Sequence, residues 1–143
     1  MAGETNITHA GRHRARRNAM MVLYRLDVVP AGVDDAVSEF ASEHGFELPK
    51  YARILVERVM ADREVLDAQI SAHLEAWTLD RLGAVERNIL RIAAAEVAGD
   101  DVPNEVAIDE AVELAKRYAS PEAAKLVNGV LGSLVRSGGS EDG

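Results

Sequence analysis

Apolar residues recur every three or four positions along nearly the whole chain, and no run of them alternates with polar residues. A 3.6-residue recurrence puts side chains on one face of a helix, whereas a half-buried strand repeats every two. The chain is therefore predicted to be all-α, a single-domain helical bundle of six or seven helices with short connections. Its 143 residues are enough to bury one core without a covalent staple. There is no cysteine, so disulfides and cysteine-bound metals are excluded.

The elements can be placed along the chain. Residues 1–10 are small and polar and read as a flexible arm. From Arg14 to Val28 the pattern is helical, with Met20, Leu23, Tyr24 and Asp27 at i, i+3, i+4 and i+7. Pro30 and Gly32 end that helix. Asp34 is predicted to cap a short helix that turns Ala36, Val37, Phe40 and Ala41 inward and stops at Gly45. Pro49 suits the first turn of the next segment. Its stripe, Tyr51, Ile54, Leu55 and Val59, resumes with Val65, Leu66, Ile70, Leu74 and Trp77. That pattern fits two helices broken near Asp62 or one bent helix.

Val85 to Val97 is apolar on most sides, which predicts a largely buried helix. Residues 106–119 place Ile108, Ala111, Val112, Ala115 and Tyr118 inward. Ser120 then caps the last helix, with Pro121 first and Glu122 in its first turn. Gly129 lies within this helix at a cost of ~1 kcal/mol against alanine. Either another helix passes close there, or Asn128 and Gly129 face a ligand. The stretch "SGGSEDG", 137–143, reads as a disordered tail.

The net charge is −8, yet residues 12–17, "RHRARR", hold four arginines and a histidine. An acidic chain repels polyanions in general, so one would have to be met at this patch. Positive charge at a helix start also opposes the helix dipole, so stability alone does not explain the run. The plain alternative is pairing with the chain's own acidic surface, and exposed pairs of that kind contribute little. Arg14 and Arg17 are helical neighbours, and Tyr24 lies two turns beyond Arg17, about 10 Å along the axis. Guanidinium groups leading to a phenol form a phosphate clamp beside a base-stacking platform, which suits single-stranded RNA. The same spacing also fits a tyrosine of the core.

Other chemistry finds little support. No nucleophile elbow, P-loop or dinucleotide fingerprint occurs, and no enzyme activity or cofactor is expected. Asp109 and Glu113 are i, i+4 but have no histidine at ligand spacing. Asp109 and Glu110 near a helix start are accounted for by the dipole. His9 and His13 precede the expected helix, so no metal site is predicted. No stretch approaches the ~20 apolar residues of a membrane helix, and the start lacks a secretory core. A cytoplasmic protein is expected.

Three stretches carry a resemblance: "GRHRARRNAMMVLY" (11–24), "WTLDRLGAVERNILRIAAAEV" (77–97) and "VPNEVAIDEAVELAKRYASPEAAKLVNGVL" (102–131). In order and spacing the chain resembles the NusB family of bacterial transcription antitermination factors, over residues 10–136, and 11–136 reads as a NusB-like helical RNA-binding domain. The resemblance implies two packed helical sub-bundles and no catalysis. It implies binding to a boxA-type single-stranded RNA of ribosomal RNA leaders, together with NusE, a ribosomal protein. That pair helps the elongating RNA polymerase resist termination. By the same resemblance, Arg12, His13, Arg14, Arg16, Arg17 and Tyr24 face RNA, as does Lys125. Glu122, Asp80 and Glu86 match acidic positions that tune RNA or partner affinity. His73 and Leu126 replace aromatics found in some members. Some members dimerise, and the sequence leaves monomer and homodimer open. Two rival readings are a protein-only helical adaptor and an isolated relative of the RNA-binding domain of an rRNA cytosine methyltransferase. Four arginines on four phosphates would give a salt slope of about −3 on a single strand.

Overall fold

The computed structural model describes the backbone of residues 9–75 and 78–142 and the side chains of residues 11–75 and 78–138. Residues 1–8 of the expected arm, and Trp77, lie outside the described residues. Among the described residues there are seven α-helices and no strand: α1 (His9–Val28), α2 (Val33–His44), α3 (Lys50–Ala61), α4 (Arg63–Ser71), α5 (Ala84–Ala98), α6 (Asn104–Tyr118) and α7 (Pro121–Asp142). A short 3-10 turn, Leu79–Arg81, precedes α5. None of these helices is long and apolar enough to cross a membrane. The chain divides into two units, Met1–Glu57 and Arg58–Gly143, with the division falling within α3.

In the first unit α1 packs on α2. Ala15, Ala19, Met20, Val22, Leu23 and Leu26 form the buried face of α1. Asp34 does not cap α2, as its position in the sequence predicts. Gly32 takes the extended N-cap conformation, with no side-chain cap bond. Asp34 instead sits in the first turn, where its charge favours the dipole, and accepts a hydrogen bond from Arg53. Gly45 ends α2 in the left-handed region, at φ 78°, and its N–H donates to the Ala41 carbonyl. Only glycine adopts that conformation without a steric penalty. Arg25 ties α1 to α2 through Glu43, at 2.8 Å and 2.9 Å, and Glu39, at 3.1 Å.

The helical pattern across 50–71 resolves into two helices. The break comes at Asp62, whose φ of −110° and ψ of 18° leave the helical region. In the second unit α5 is the axis. Every residue from Asn88 to Glu96 is buried, as an all-round apolar helix requires, and α4, α6 and α7 pack around it. Arg91 enters this interior with its partners. Its Nε and Nη2 donate to both Asp67 carboxylate oxygens at 2.8 Å and 3.0 Å, and its Nη1 donates to Asn88 Oδ1 at 3.1 Å.

α7 starts as the sequence predicts, with the Ala123 N–H donating to Ser120 Oγ at 3.0 Å and Pro121 at its first position. It runs on to Asp142, through residues that the sequence assigns to a tail. Tyr118, predicted inward, is exposed in the last turn of α6 beside Arg117.

Candidate nucleic-acid interface

α1 begins at His9, several residues before the sequence pattern turns helical. The arginine run therefore lies on a formed helix, and helical geometry sorts its members. Arg14 is exposed, whereas Arg12, His13 and Arg17 are half-buried. Arg16 is 2% exposed, with its guanidinium carbon 5.9 Å from the centre of the Tyr51 ring. Its burial has a legible cause. Arg16, Ala19, Met20 and Leu23 fall at i, i+3, i+4 and i+7, on the stripe α1 turns inward. Arg16 is thus placed to hold α1 against Tyr51.

Arg12 also reaches this ring, 4.7 Å from its centre, a cation–π arrangement. Its Nε is buried without a hydrogen-bond partner among the described residues. Such an orphan costs ~1–3 kcal/mol, which the ring contact offsets in part. Among the described residues no acidic side chain pairs with Arg14 or Arg17.

Tyr24 is 45% exposed, so it belongs to the surface of α1 and not to its core. Arg14, Arg17, Met21, Tyr24 and Val28 recur at intervals of three and four along α1. Met21 and Val28 are exposed as well. This outer stripe runs from positive charge to an aromatic ring, about 15 Å along the axis from Arg14 to Tyr24.

The remaining positions implicated by sequence lie in the second unit. Glu86 stands in the first turn of α5, and its carboxylate folds back over Gly83, where a side chain on that residue would sit. An acid there favours the helix dipole. Glu122 occupies the first turn of α7. Glu86 and Glu122 line one hollow of about 410 Å3 with Arg81 and Leu126. Lys125 is exposed one turn further along α7.

Asp80 is exposed on the 3-10 turn. A hydrogen bond from Thr78, aided by its own backbone N–H and by the nearby Arg81 and Arg87, holds its carboxyl below the usual carboxylate range. Asp80 therefore keeps its negative charge into more acidic solution than a free aspartate.

His73 is half-buried. Its Nδ1 lies 2.8 Å from Ser133 Oγ, beside a cavity of about 580 Å3. Gly129 is exposed, and a Cβ added there would meet nothing within 4 Å. The close helix–helix approach that its sequence position suggests is thus absent among the described residues. Among those residues no three histidine or acidic side chains could together hold a metal ion.

Sequence reasoning passed over Phe46 and Lys50 and took Tyr51 only as a member of the apolar stripe of α3. With Arg14, Arg17 and Asn18 they line a hollow of about 340 Å3 in the first unit. The missed signal is chemical, because Phe46 stands alone after Gly45 and belongs to no periodic stripe.

Known proteins share this architecture. The NusB family profile matches residues 13–136. The transcription antitermination protein NusB of Oceanobacillus iheyensis is 39% identical over 125 residues, covering 87% of this chain and 98% of that protein. The NusB protein of Bacillus subtilis is 40% identical over 124 residues, 86% of this chain and 93% of its own length. A solved structure of the antitermination factors NusB and NusE in complex with dsRNA is similar with a TM-score of 0.79. It is 32% identical and covers 91% of this chain and 99% of that one. The family match over most of the chain and the shared fold lead to one conclusion: this chain belongs to the NusB family.

Proposed function

We propose that this chain is a non-enzymatic transcription antitermination factor. It binds a boxA-type RNA of ribosomal RNA leaders together with NusE, and the pair acts on the elongating RNA polymerase. The relatives' antitermination role and the NusB–NusE complex with dsRNA support the antitermination role, the NusE partner and RNA binding. The observation that carries it is the outer stripe of α1, where Arg14 and Arg17 have no acidic partner among the described residues and Tyr24 is open to solvent. The arginines supply phosphate contacts, and the phenol supplies a stacking face that needs an unpaired base. A single strand therefore suits this site better than a duplex.

Arg12 and His13 flank the grip, and Arg16 acts by fixing α1 against Tyr51. In the second unit, Lys125 is a further RNA contact by family resemblance, and Asp80, Glu86 and Glu122 are the acidic positions that tune RNA or partner affinity.

Fluorescence anisotropy with a labelled boxA-type single strand, a scrambled strand and a duplex tests this, each with and without NusE. The boxA-type strand is expected to bind best and to tighten when NusE is present. Tyr24→Ala is expected to weaken it by about five-fold or more, since stacking on one base contributes ~1–3 kcal/mol. If NusE binds but neither single strand does, the chain is a protein-only adaptor and the proposal fails.

A further inference from the structure

The hollow beside the arginine run has a composition that a phosphate clamp alone does not need. Arg14, Arg17 and Lys50 line it, and no acidic residue does among those described, in a chain whose net charge is −8. Phe46 forms another part of the wall while remaining 49% exposed. Its ring is fixed from behind. It meets Phe40 edge-on, with ring centres 5.4 Å apart at 87°, and His44 at 6.0 Å and 69°. His44 in turn stacks on Phe40 at 4.1 Å.

The left-handed turn at Gly45 leads the chain out of α2 directly into Phe46. The fold thus holds an aromatic ring in place with part of its surface open to the hollow. Asn18, 4% exposed, lines the same space. An amide with one donor edge and one acceptor edge matches the edge of a base. The volume, about 340 Å3, lies at the lower end of the ~300–1,000 Å3 typical of small-ligand sites.

We infer that this hollow receives one nucleotide of the bound RNA. Its base lies against Phe46 within reach of the Asn18 amide, and its phosphates are held by Arg14, Arg17 and Lys50. The inference rests on the RNA-binding function proposed above and adds a second aromatic contact to Tyr24. A fixed ring suits this task because little conformational entropy is lost when the base arrives. The mixture of cation and aromatic surface is the one that binds single strands in general.

The test places 2-aminopurine at successive positions of a boxA-type single strand and follows its fluorescence on binding to the full chain with NusE. One position is expected to be strongly quenched in addition to any quenched by Tyr24. Phe46→Leu keeps the apolar bulk and removes the aromatic face. It should abolish that quench and weaken binding about five-fold or more, with the salt slope unchanged because no charge is lost. Phe46→Trp should restore both. Lys50→Ala should keep the quench and make the salt slope shallower by about 0.7.

Thermal melting of each variant confirms that the fold persists. If Phe46→Leu binds and quenches like the unaltered chain while Arg14→Ala with Arg17→Ala weakens binding, the nucleotide pocket is refuted and the RNA function stands. If neither change affects binding, the RNA function fails with it.

Discussion

Arg91 and Arg14 place the same guanidinium group in opposite settings. Arg91 lies in the second unit with its side chain 4% exposed, in a two-pronged pair with Asp67 and a further bond to Asn88. Arg14 lies in the first unit, exposed, on the wall of a hollow that holds no acidic residue among those described. The first arrangement satisfies a buried cation, which the interior otherwise penalises heavily. The second leaves charge available. Charge count alone cannot separate these uses; burial and partners do. The teaching case is Arg16, which belongs to the basic run by sequence and to the interior by structure.

Asp67→Ala removes the carboxylate that pairs with the buried Arg91 guanidinium, and should destabilise the fold by about 3 kcal/mol in denaturant melts. RNA affinity measured where the variant is still folded should not move. If the stability change stays below about 1 kcal/mol, Arg91 is not the structural cation described here.

Arg16→Ala should cost about 2 kcal/mol of stability, through lost packing and ring contact. Arg14→Ala should fall within ±0.5 kcal/mol, as surface changes do. Equal costs for the two would erase the distinction drawn within the arginine run.

Gly129→Ala should stabilise the protein by about 0.4–1 kcal/mol, since a Cβ there meets nothing within 4 Å and alanine favours a helix. If the same variant binds NusE or RNA more weakly, the bare backbone at 129 is a contact surface, which would explain a costly residue in the middle of α7.

Much of the fold was legible because its determinants are local. Ser120 and Pro121 mark the start of α7 through capping chemistry confined to a few residues. The buried character of α5 follows from apolar residues on most of its sides. The cap of α2 was misread because two signals compete there. Asp34 is a good cap, but Gly32 takes the N-cap conformation two residues earlier, and Asp34 finds Arg53 from a distant part of the chain.

The site was legible in part. Tyr24 was identified with its exposure undecided, since its spacing fits the apolar stripe as well as the surface, and only packing against α2 fixes which side is buried. Phe46 was invisible for a different reason. Its significance depends on a hollow assembled from α1 and the residues around the start of α3, a non-local arrangement that no periodicity encodes.

On the function proposed above, the outer arginines of α1 hold RNA phosphates and do not hold the fold. The most direct measurement is the salt dependence of boxA-type single-strand binding for the unaltered chain and for Arg14→Ala with Arg17→Ala. Two lost phosphate contacts should make the log–log slope shallower by about 1.4, with the melting temperature unchanged. An unchanged slope and affinity in the double variant would contradict the claim.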